Sequence, residues 1–126
     1  MCSDIKAEDK NVLGGSLEIC CTDPMTGFYR NGKCETGTSD RGAHVVCAKV
    51  SEAFLSYSAD CGNDLRTAVP AYGFPGLKPG DRWCLCAARW KQAYEAGVAP
   101  PVFLEATHQR ALQLIDIEIL MEYAVQ

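Results

Sequence analysis

The clearest periodic pattern in the chain is an apolar stripe that follows a segment rich in proline and glycine. Trp83, Ala87, Trp90 and Tyr94 recur at intervals of four, three and four residues, the spacing of one helix face. Asp81 stands just before this stripe and has a side chain suited to an N-cap. The pattern therefore predicts a helix that begins after Asp81 and ends near the glycine at position 97.

Shorter apolar runs alternate with turn residues along the rest of the chain. Ser51 is a suitable N-cap for a second helix, in which Phe54, Tyr57 and Cys61 share a face. Residues 112–119 fit a strand or a helix, and Asp116 is a suitable cap for a last helix. Strands are predicted at Leu17–Cys21, at Phe28–Arg30 with a hairpin return through Asn31-Gly32, at His44–Val50 and at Val102–Ala106.

Together these elements predict an α+β fold with a small, mostly antiparallel sheet of about five short strands and about three helices. The length of 126 residues suits a single compact domain. Residues 1–11 are polar and of mixed charge, so we expect a flexible tail there and one globular domain over 12–126.

Residues 70–80 alternate prolines and glycines with Tyr72, Phe74 and Leu77. Neither a helix nor a central strand continues through such a segment, and flexible linkers lack interleaved aromatic residues. We expect an ordered loop held by these three side chains.

Composition excludes several classes of protein. The net charge is −4 and the basic residues are scattered, whereas a nucleic-acid surface needs clustered cations. No apolar run approaches the length of a membrane span. The first residues lack the apolar segment of a secretory signal, so the expected location is the cytosol. Oligomeric state does not follow from the sequence.

The cysteines admit two interpretations. In a cytosolic chain we expect mostly free thiols, and no cofactor, because paired Cys-x-x-Cys motifs are absent. The alternative is a zinc-stabilised domain that uses Cys20, Cys34 and Cys47, with His44 as a possible fourth ligand. The eight cysteines are Cys2, Cys20, Cys21, Cys34, Cys47, Cys61, Cys84 and Cys86.

The chain resembles the family known as domain of unknown function 2237. The resemblance rests on GFPGLKPGDRWCLCAARW and GVAPPVFLEATH, with TDPMTGFYRNGKCETG, HVVCA, EAFLSYS and GNDL upstream, and it extends from about Asn11 onward. It implies no catalytic residues. It does imply that Cys2, Cys21 and Cys61 are incidental, whereas the family motifs include Cys20, Cys34, Cys47, Cys84, Cys86, His44 and His108.

Thiol chemistry is one hypothesis for these motif positions. In the predicted helix Cys84 lies in the first turn, where backbone N–H groups favour a thiolate, and Cys86 lies beside the core stripe. Residues two apart on a helix point about 200° apart, which disfavours a shared metal. His44 or His108 would activate Cys84 if either lay near it. The alternative is that both cysteines simply pack in the core.

Three functions follow, and the sequence does not decide between them. The first is a module that binds a small ligand or a protein through loop 70–80 and the start of the Cys-x-Cys helix. The second is a thiol-dependent enzyme or redox protein centred on Cys84, with His108 and His44 as further candidates. The third is the zinc-stabilised domain. The expected ligand-binding residues are Asp64, Tyr72, Phe74, Asp81, Arg82 and Trp83.

Overall fold

The computed structural model describes residues 9–125, which form an α+β fold. Its regular elements are β1 (His44–Lys49), α1 (Glu52–Asp60), β2 (Arg82–Cys86), α2 (Ala87–Glu95) and α3 (Ile117–Glu122). Short 3-10 helices cover Pro70–Tyr72, Leu104–Ala106 and Gln109–Gln113. Among the described residues, no helix combines the length and the apolar character needed to cross a membrane.

The sheet is smaller than predicted, because within residues 9–125 it consists of β1 and β2 alone, paired antiparallel. The predicted count of about five strands is wrong. At the predicted strand Val102–Ala106, Val102 makes isolated bridges to Ala48 and Ala124, and a 3-10 turn follows. Leu17–Cys21 and Phe28–Arg30 contain no strand. A short apolar run does not by itself predict a strand, because its side chains can be buried in a loop as well as in a sheet.

The predicted helix from Asp81 is also corrected. Residues 82–86 are strand β2, and the helix begins only at Ala87. Asp81 accepts a hydrogen bond from the backbone N–H of Lys78 at 3.0 Å, so it closes the preceding turn and does not cap a helix. Trp83 is buried opposite Ala48 of β1, and this pairing outweighs its coincidental helical spacing to Ala87.

The remaining helix predictions are confirmed. The Ser51 hydroxyl accepts a hydrogen bond from the backbone N–H of Phe54 at 3.1 Å, which caps α1. The ambiguous stretch 112–119 contains no strand: a 3-10 helix ends at Gln113, and α3 begins at Ile117. The indole N–H of Trp90, on α2, donates to the carbonyl of Pro100 at 3.0 Å, so the apolar core also satisfies its buried donor.

Loop 70–80 is ordered, as predicted, although one of its three expected anchors is free of the core. Phe74 is half-buried and Leu77 is buried, whereas Tyr72 is 80% exposed. The backbone N–H of Leu77 donates to the carbonyl of Leu65 at 2.7 Å. At Gly76 the φ angle is 82° and a Cβ would lie 2.5 Å from the Arg66 carbonyl oxygen, so only glycine fits this approach.

The predicted tail, 1–11, overlaps the described part of the chain at residues 9–11; positions 1–8 lie outside it. Asn11 is buried, and its side-chain amide donates to the carbonyls of Ser16 and Glu105 at 3.1 Å each. Its side-chain oxygen accepts from the backbone N–H groups of Leu13 and Gly15. The globular body therefore begins before Asn11.

Candidate functional site

Four cysteines from distant parts of the chain meet in one buried cluster. Cys47 of β1 lies directly opposite Cys84 of β2, and the loops that precede β1 bring Cys20 and Cys34 against this pair. Disulfides join Cys20 to Cys47 and Cys34 to Cys84. Each disulfide therefore ties an irregular N-terminal loop to a strand of the sheet.

The expectation of mostly free thiols is wrong for these four residues. Among the described cysteines, Cys21, Cys61 and Cys86 carry free thiols, and all three are half-buried. The expectation rested on a cytosolic location, where thiols stay reduced. The two disulfides instead join residues 9–43, which contain no helix or strand, to the sheet.

The cysteines named for a zinc site are close together. The sulfurs of Cys20, Cys34 and Cys47 lie within 4.8 Å of one another. Zinc needs thiolates, however, and all three sulfurs are in disulfides. His44 is outside this group, since its ring nitrogen is held by Asp40. The expectation that no cofactor is needed stays a prediction.

A cavity of about 560 Å³ opens beside β2, and it is the feature best suited to a small ligand. Its walls include Trp83 of β2, Phe28 of the N-terminal loops and Tyr72 of loop 70–80. Phe74 supports Trp83 from behind, with ring centroids 5.2 Å apart and planes at 64°. The lining therefore offers aromatic faces from three separate segments.

Basic side chains from three parts of the chain line this cavity. They are Arg30, Arg89 and His44, and none of the aspartates or glutamates within residues 9–125 lines the cavity. The Arg30 guanidinium lies 5.3 Å from the centre of the Trp83 ring and donates to the Gly27 carbonyl at 2.6 Å. In a chain of net charge −4, two arginines on one cavity wall favour an anionic ligand there.

His44 is the one imidazole in the cavity, and a buried carboxylate holds it. Nδ1 of His44 lies 2.7 Å from Oδ1 of Asp40, which is completely buried. Oδ2 of Asp40 accepts from the His44 backbone N–H at 2.9 Å and from the Thr36 hydroxyl at 3.1 Å. The His44 ring also stacks on Phe28, with centroids 6.3 Å apart and planes 19° apart.

These hydrogen bonds fix the charge of Asp40. Burial by itself would raise the pKa of its carboxyl group. The hydrogen bonds from the side chain and backbone of His44, together with that from Thr36, outweigh burial and lower the pKa below its usual value of 3.8. An ionised Asp40 accepts the Nδ1 proton of His44, which leaves Nε2 as the acceptor of the neutral ring.

The structure exchanges the environments predicted for the two cysteines of the Cys-x-Cys motif. Cys84 is 2% exposed and belongs to a disulfide, so it is the core residue. Cys86 is the N-cap of α2, has a free thiol and lines the cavity. It is also the cross-strand partner of His44. The features that favoured thiol chemistry at Cys84 therefore apply to Cys86.

A family model described as an uncharacterised protein conserved in bacteria, DUF2237, matches residues 10–124. The chain belongs to this family. No curated protein matches the chain. The match spans both the disulfide cluster and the cavity, so both centres lie within the part of the chain that defines the family.

The structure brings some of the predicted site residues together and separates others. Tyr72, Trp83, Cys84 and His44 line the cavity. Phe74 contacts the Trp83 ring but does not itself line the cavity. The remaining four predicted catalytic and ligand-binding positions lie outside the cavity, and they are Asp64, Asp81, Arg82 and His108.

Each of the four has another role. Asp64 accepts from the Thr67 hydroxyl at 2.6 Å, and this bond lowers the pKa of Asp64. The Arg82 guanidinium lies 4.0 Å from the centre of the Phe103 ring. His108 is buried; its Nε2 lies 2.9 Å from an Asp9 oxygen, and its Nδ1 accepts from a backbone N–H. Asp81 closes its turn, as described above.

Sequence reasoning missed several residues of the cavity and its support, among them Phe28, Arg30, Asp40 and Arg89. One local signal was available. Asp40 and His44 are four residues apart in the segment DRGAH, and an acid near a histidine is a recurring way to orient an imidazole. The two arginines carried no such signal, because they are 59 positions apart and meet only in the folded chain.

Proposed function

We propose that the cavity beside β2 binds a small anionic ligand that also carries an apolar or aromatic part. One observation carries the proposal: two arginines and a histidine line the cavity, and no carboxylate of the described part of the chain does. A charged group that is partly desolvated attracts an opposite charge more strongly than it does in water. The family description names no ligand, so the chemistry of the lining is the guide to one.

The two arginines are available to a ligand. The Arg89 guanidinium has only long contacts, 3.5 Å to the Cys61 carbonyl and 3.4 Å to the Gln92 side chain. Arg30 donates to a carbonyl and lies over Trp83, and neither contact neutralises its charge. Guanidinium groups bind carboxylates and phosphates through paired, charge-assisted hydrogen bonds, which is why we expect an anion here.

The aromatic walls define the rest of the ligand. Trp83 is 7% exposed, and Phe28 and Tyr72 are 37% and 80% exposed, so the cavity grades from a buried floor to an open rim. A cavity of about 560 Å³ suits a molecule of metabolite size. A concave shape favours a small molecule over a protein partner, whose contact surface is usually broad and flat.

Binding of simple aromatic anions tests the proposal. Phenyl phosphate and benzoate are titrated by calorimetry against phenol, which has the same ring without the charge. We expect both anions to bind about tenfold more tightly than phenol, since one charge-assisted hydrogen bond contributes about 1.5–3 kcal/mol. Equal affinity for phenol and the anions, or no binding of either anion, contradicts the proposal.

Matched arginine variants show whether the charge acts in the cavity. Arg89→Gln and Arg30→Gln are each expected to weaken phenyl phosphate binding about tenfold. Arg82→Gln removes the same charge from an exposed position outside the cavity and is expected to change binding less than about twofold. If Arg82→Gln weakens binding as much as Arg89→Gln, the effect comes from net charge and the cavity is not the site.

The cytosolic location stays a prediction. Two disulfides in one chain are more usual in oxidising compartments than in the cytosol of most organisms. Ligand binding is independent of this question, because neither the arginines nor the aromatic walls belong to a disulfide.

A further inference from the structure

We propose that Cys86 is a nucleophilic thiol that exchanges with small anionic disulfides in the cavity, with His44 as its proton acceptor. The proposal rests on the proposed function for the charge of the substrate, but not for the reactivity of the thiol. Its basis is the meeting of three independent features at one residue: a cavity, a helix start and an oriented imidazole.

The first two features concern the surroundings of the thiol itself. Cys86 lines the cavity, is half-buried and belongs to no disulfide. It is the N-cap of α2, a helix of nine residues, and its side chain makes no capping hydrogen bond. The unpaired backbone N–H groups of a helix start carry partial positive charge, which favours a thiolate over a neutral thiol.

The third feature is the position of His44. The Cα atoms of His44 and Cys86 are partners in the β1–β2 ladder, and both residues line the cavity. The register shifts between His44 and Val46, so this pair stands at the irregular end of the ladder. Paired Cα atoms lie about 4.5–5.5 Å apart, so the two side chains leave neighbouring positions of the cavity wall. Because Asp40 binds Nδ1, the nitrogen left to accept the thiol proton is Nε2.

The His44 ring has little freedom to leave this position. Phe28 stacks on it, and a Cβ added at Gly42 would lie 2.8 Å from its Cε1 atom. A contact that short forces something to move, so Gly42 is a positioning residue for the imidazole. The short distance to the His44 ring, and not a positive φ angle, explains why position 42 is glycine.

The exchange step is balanced without an external oxidant. The Cys86 thiol gives its proton to Nε2 of His44, and its sulfur attacks one sulfur of the incoming disulfide. The disulfide bond of the substrate breaks, and a mixed disulfide forms with Cys86. The departing thiolate takes the proton back from His44 and leaves as a thiol, so one disulfide and one thiol are converted into another disulfide and another thiol.

The arginines account for the preference for an anionic substrate. A thiolate repels an incoming anion, which slows exchange with carboxylate-bearing disulfides at an ordinary cysteine. Arg89 lies three residues after Cys86 along α2, and Arg30 lines the same cavity. Their charges offset the repulsion and hold the substrate beside the sulfur.

The protein contains its own controls, because Cys21 and Cys61 are also half-buried free thiols and neither lines this cavity. The unreduced wild-type protein is treated with dithiobis(nitrobenzoate), an aromatic disulfide with carboxylates, near neutral pH. The rate of modification at each cysteine is read by peptide mapping. A parallel series uses dithiodipyridine, an uncharged aromatic disulfide.

We expect Cys86 to react roughly tenfold faster than Cys21 and Cys61 with both reagents. A proton acceptor beside the sulfur removes the thiol proton as the sulfur attacks and so raises the rate of exchange. The lower nucleophilicity of a stabilised thiolate takes back part of this gain. Equal rates at the three cysteines would overturn the proposal.

Two variants assign the effect to the imidazole. His44→Asn removes the proton acceptor, and Gly42→Ala keeps every reacting group but displaces the ring. Both are expected to bring Cys86 close to the rate of Cys21, while Cys21 itself keeps its wild-type rate. Unchanged reactivity of Cys86 in both variants contradicts the role of His44, and the wild-type comparison remains informative if either variant folds poorly.

The two reagents separate this inference from the proposed function. Cys86 could react fast with both reagents and yet favour the anionic reagent no more than Cys61 does. That result supports the reactive thiol and contradicts the binding of an anionic ligand. A Cys86 as slow as Cys61, in a protein that still binds phenyl phosphate, contradicts the reactive thiol and leaves the binding function intact.

Discussion

The disulfide between Cys34 and Cys84 is expected to contribute a large part of the stability of the protein. It closes a loop of 50 residues, and the chain-entropy relation for such a loop gives about 4 kcal/mol at room temperature. The Cys20–Cys47 link closes 27 residues and gives about 3.5 kcal/mol by the same relation. The two loops overlap in sequence, so the loss of both should be smaller than the sum.

The double variant Cys34→Ala/Cys84→Ala tests this magnitude by urea unfolding without reductant. With a slope of about 2 kcal/mol per molar urea, a loss of about 4 kcal/mol lowers the midpoint by about 2 M. Cys61→Ala is the control, because it removes a half-buried thiol that belongs to no disulfide. Its midpoint should change by less than about 0.5 M.

Two results would refute this reasoning. One is a midpoint for the double variant no lower than that of Cys61→Ala. The other is an alkylation experiment on unreduced, denatured protein in which the reagent labels all four cluster cysteines. If that protein also contained tightly bound zinc, the close sulfurs of Cys20, Cys34 and Cys47 would be metal ligands and the zinc-stabilised alternative would hold.

Three further predictions concern single residues outside the disulfides. Asp40→Asn should cost about 1–3 kcal/mol at neutral pH. Because folding lowers the pKa of Asp40, its stabilising effect is present above the usual value of 3.8 and is lost as the pH falls through the folded pKa; urea midpoints should therefore converge for variant and wild type in acid. Ser51→Ala should lower stability by about 1 kcal/mol, read by thermal melting, through loss of the α1 cap. Gly76→Ala should destabilise the protein by at least about 1 kcal/mol in the same assay, since its φ of 82° and the nearby Arg66 carbonyl exclude a side chain, and an unchanged melting temperature would contradict the close approach.

Elements whose signals are local were predictable from the sequence. The run HVVCAK is β-branched and forms β1, and Ser51 caps the helix that follows it. Loop 70–80 follows from the limits that proline and glycine set on the backbone. In each case the information lies within about ten residues of the element, so no tertiary contact has to be known.

Features that depend on distant contacts were not predictable in the same way. Disulfide partners are set by the fold, and the sequence gives no way to choose Cys84 over other partners for Cys34. The cavity joins Arg30 to Arg89 through the packing of β2 and α2 against the N-terminal loops. The helical spacing of the stripe from Trp83 was real, but pairing with β1 decided the conformation of its first residues.

The position of one boundary determines the chemistry of the whole Cys-x-Cys motif. Because β2 continues to Cys86, Cys84 falls opposite Cys47 in the cluster, and the register shift between His44 and Val46 then places Cys86 opposite His44 at the cavity. A strand that slipped by one residue would reverse the faces of both cysteines and separate each from its partner. The disulfide from Cys34 ties Cys84 to the N-terminal loops and so constrains β2 in this register. The buried link that stabilises the N-terminal loops thus also keeps the free thiol beside its imidazole, which makes the disulfide cluster a structural requirement of the candidate site and not a separate feature.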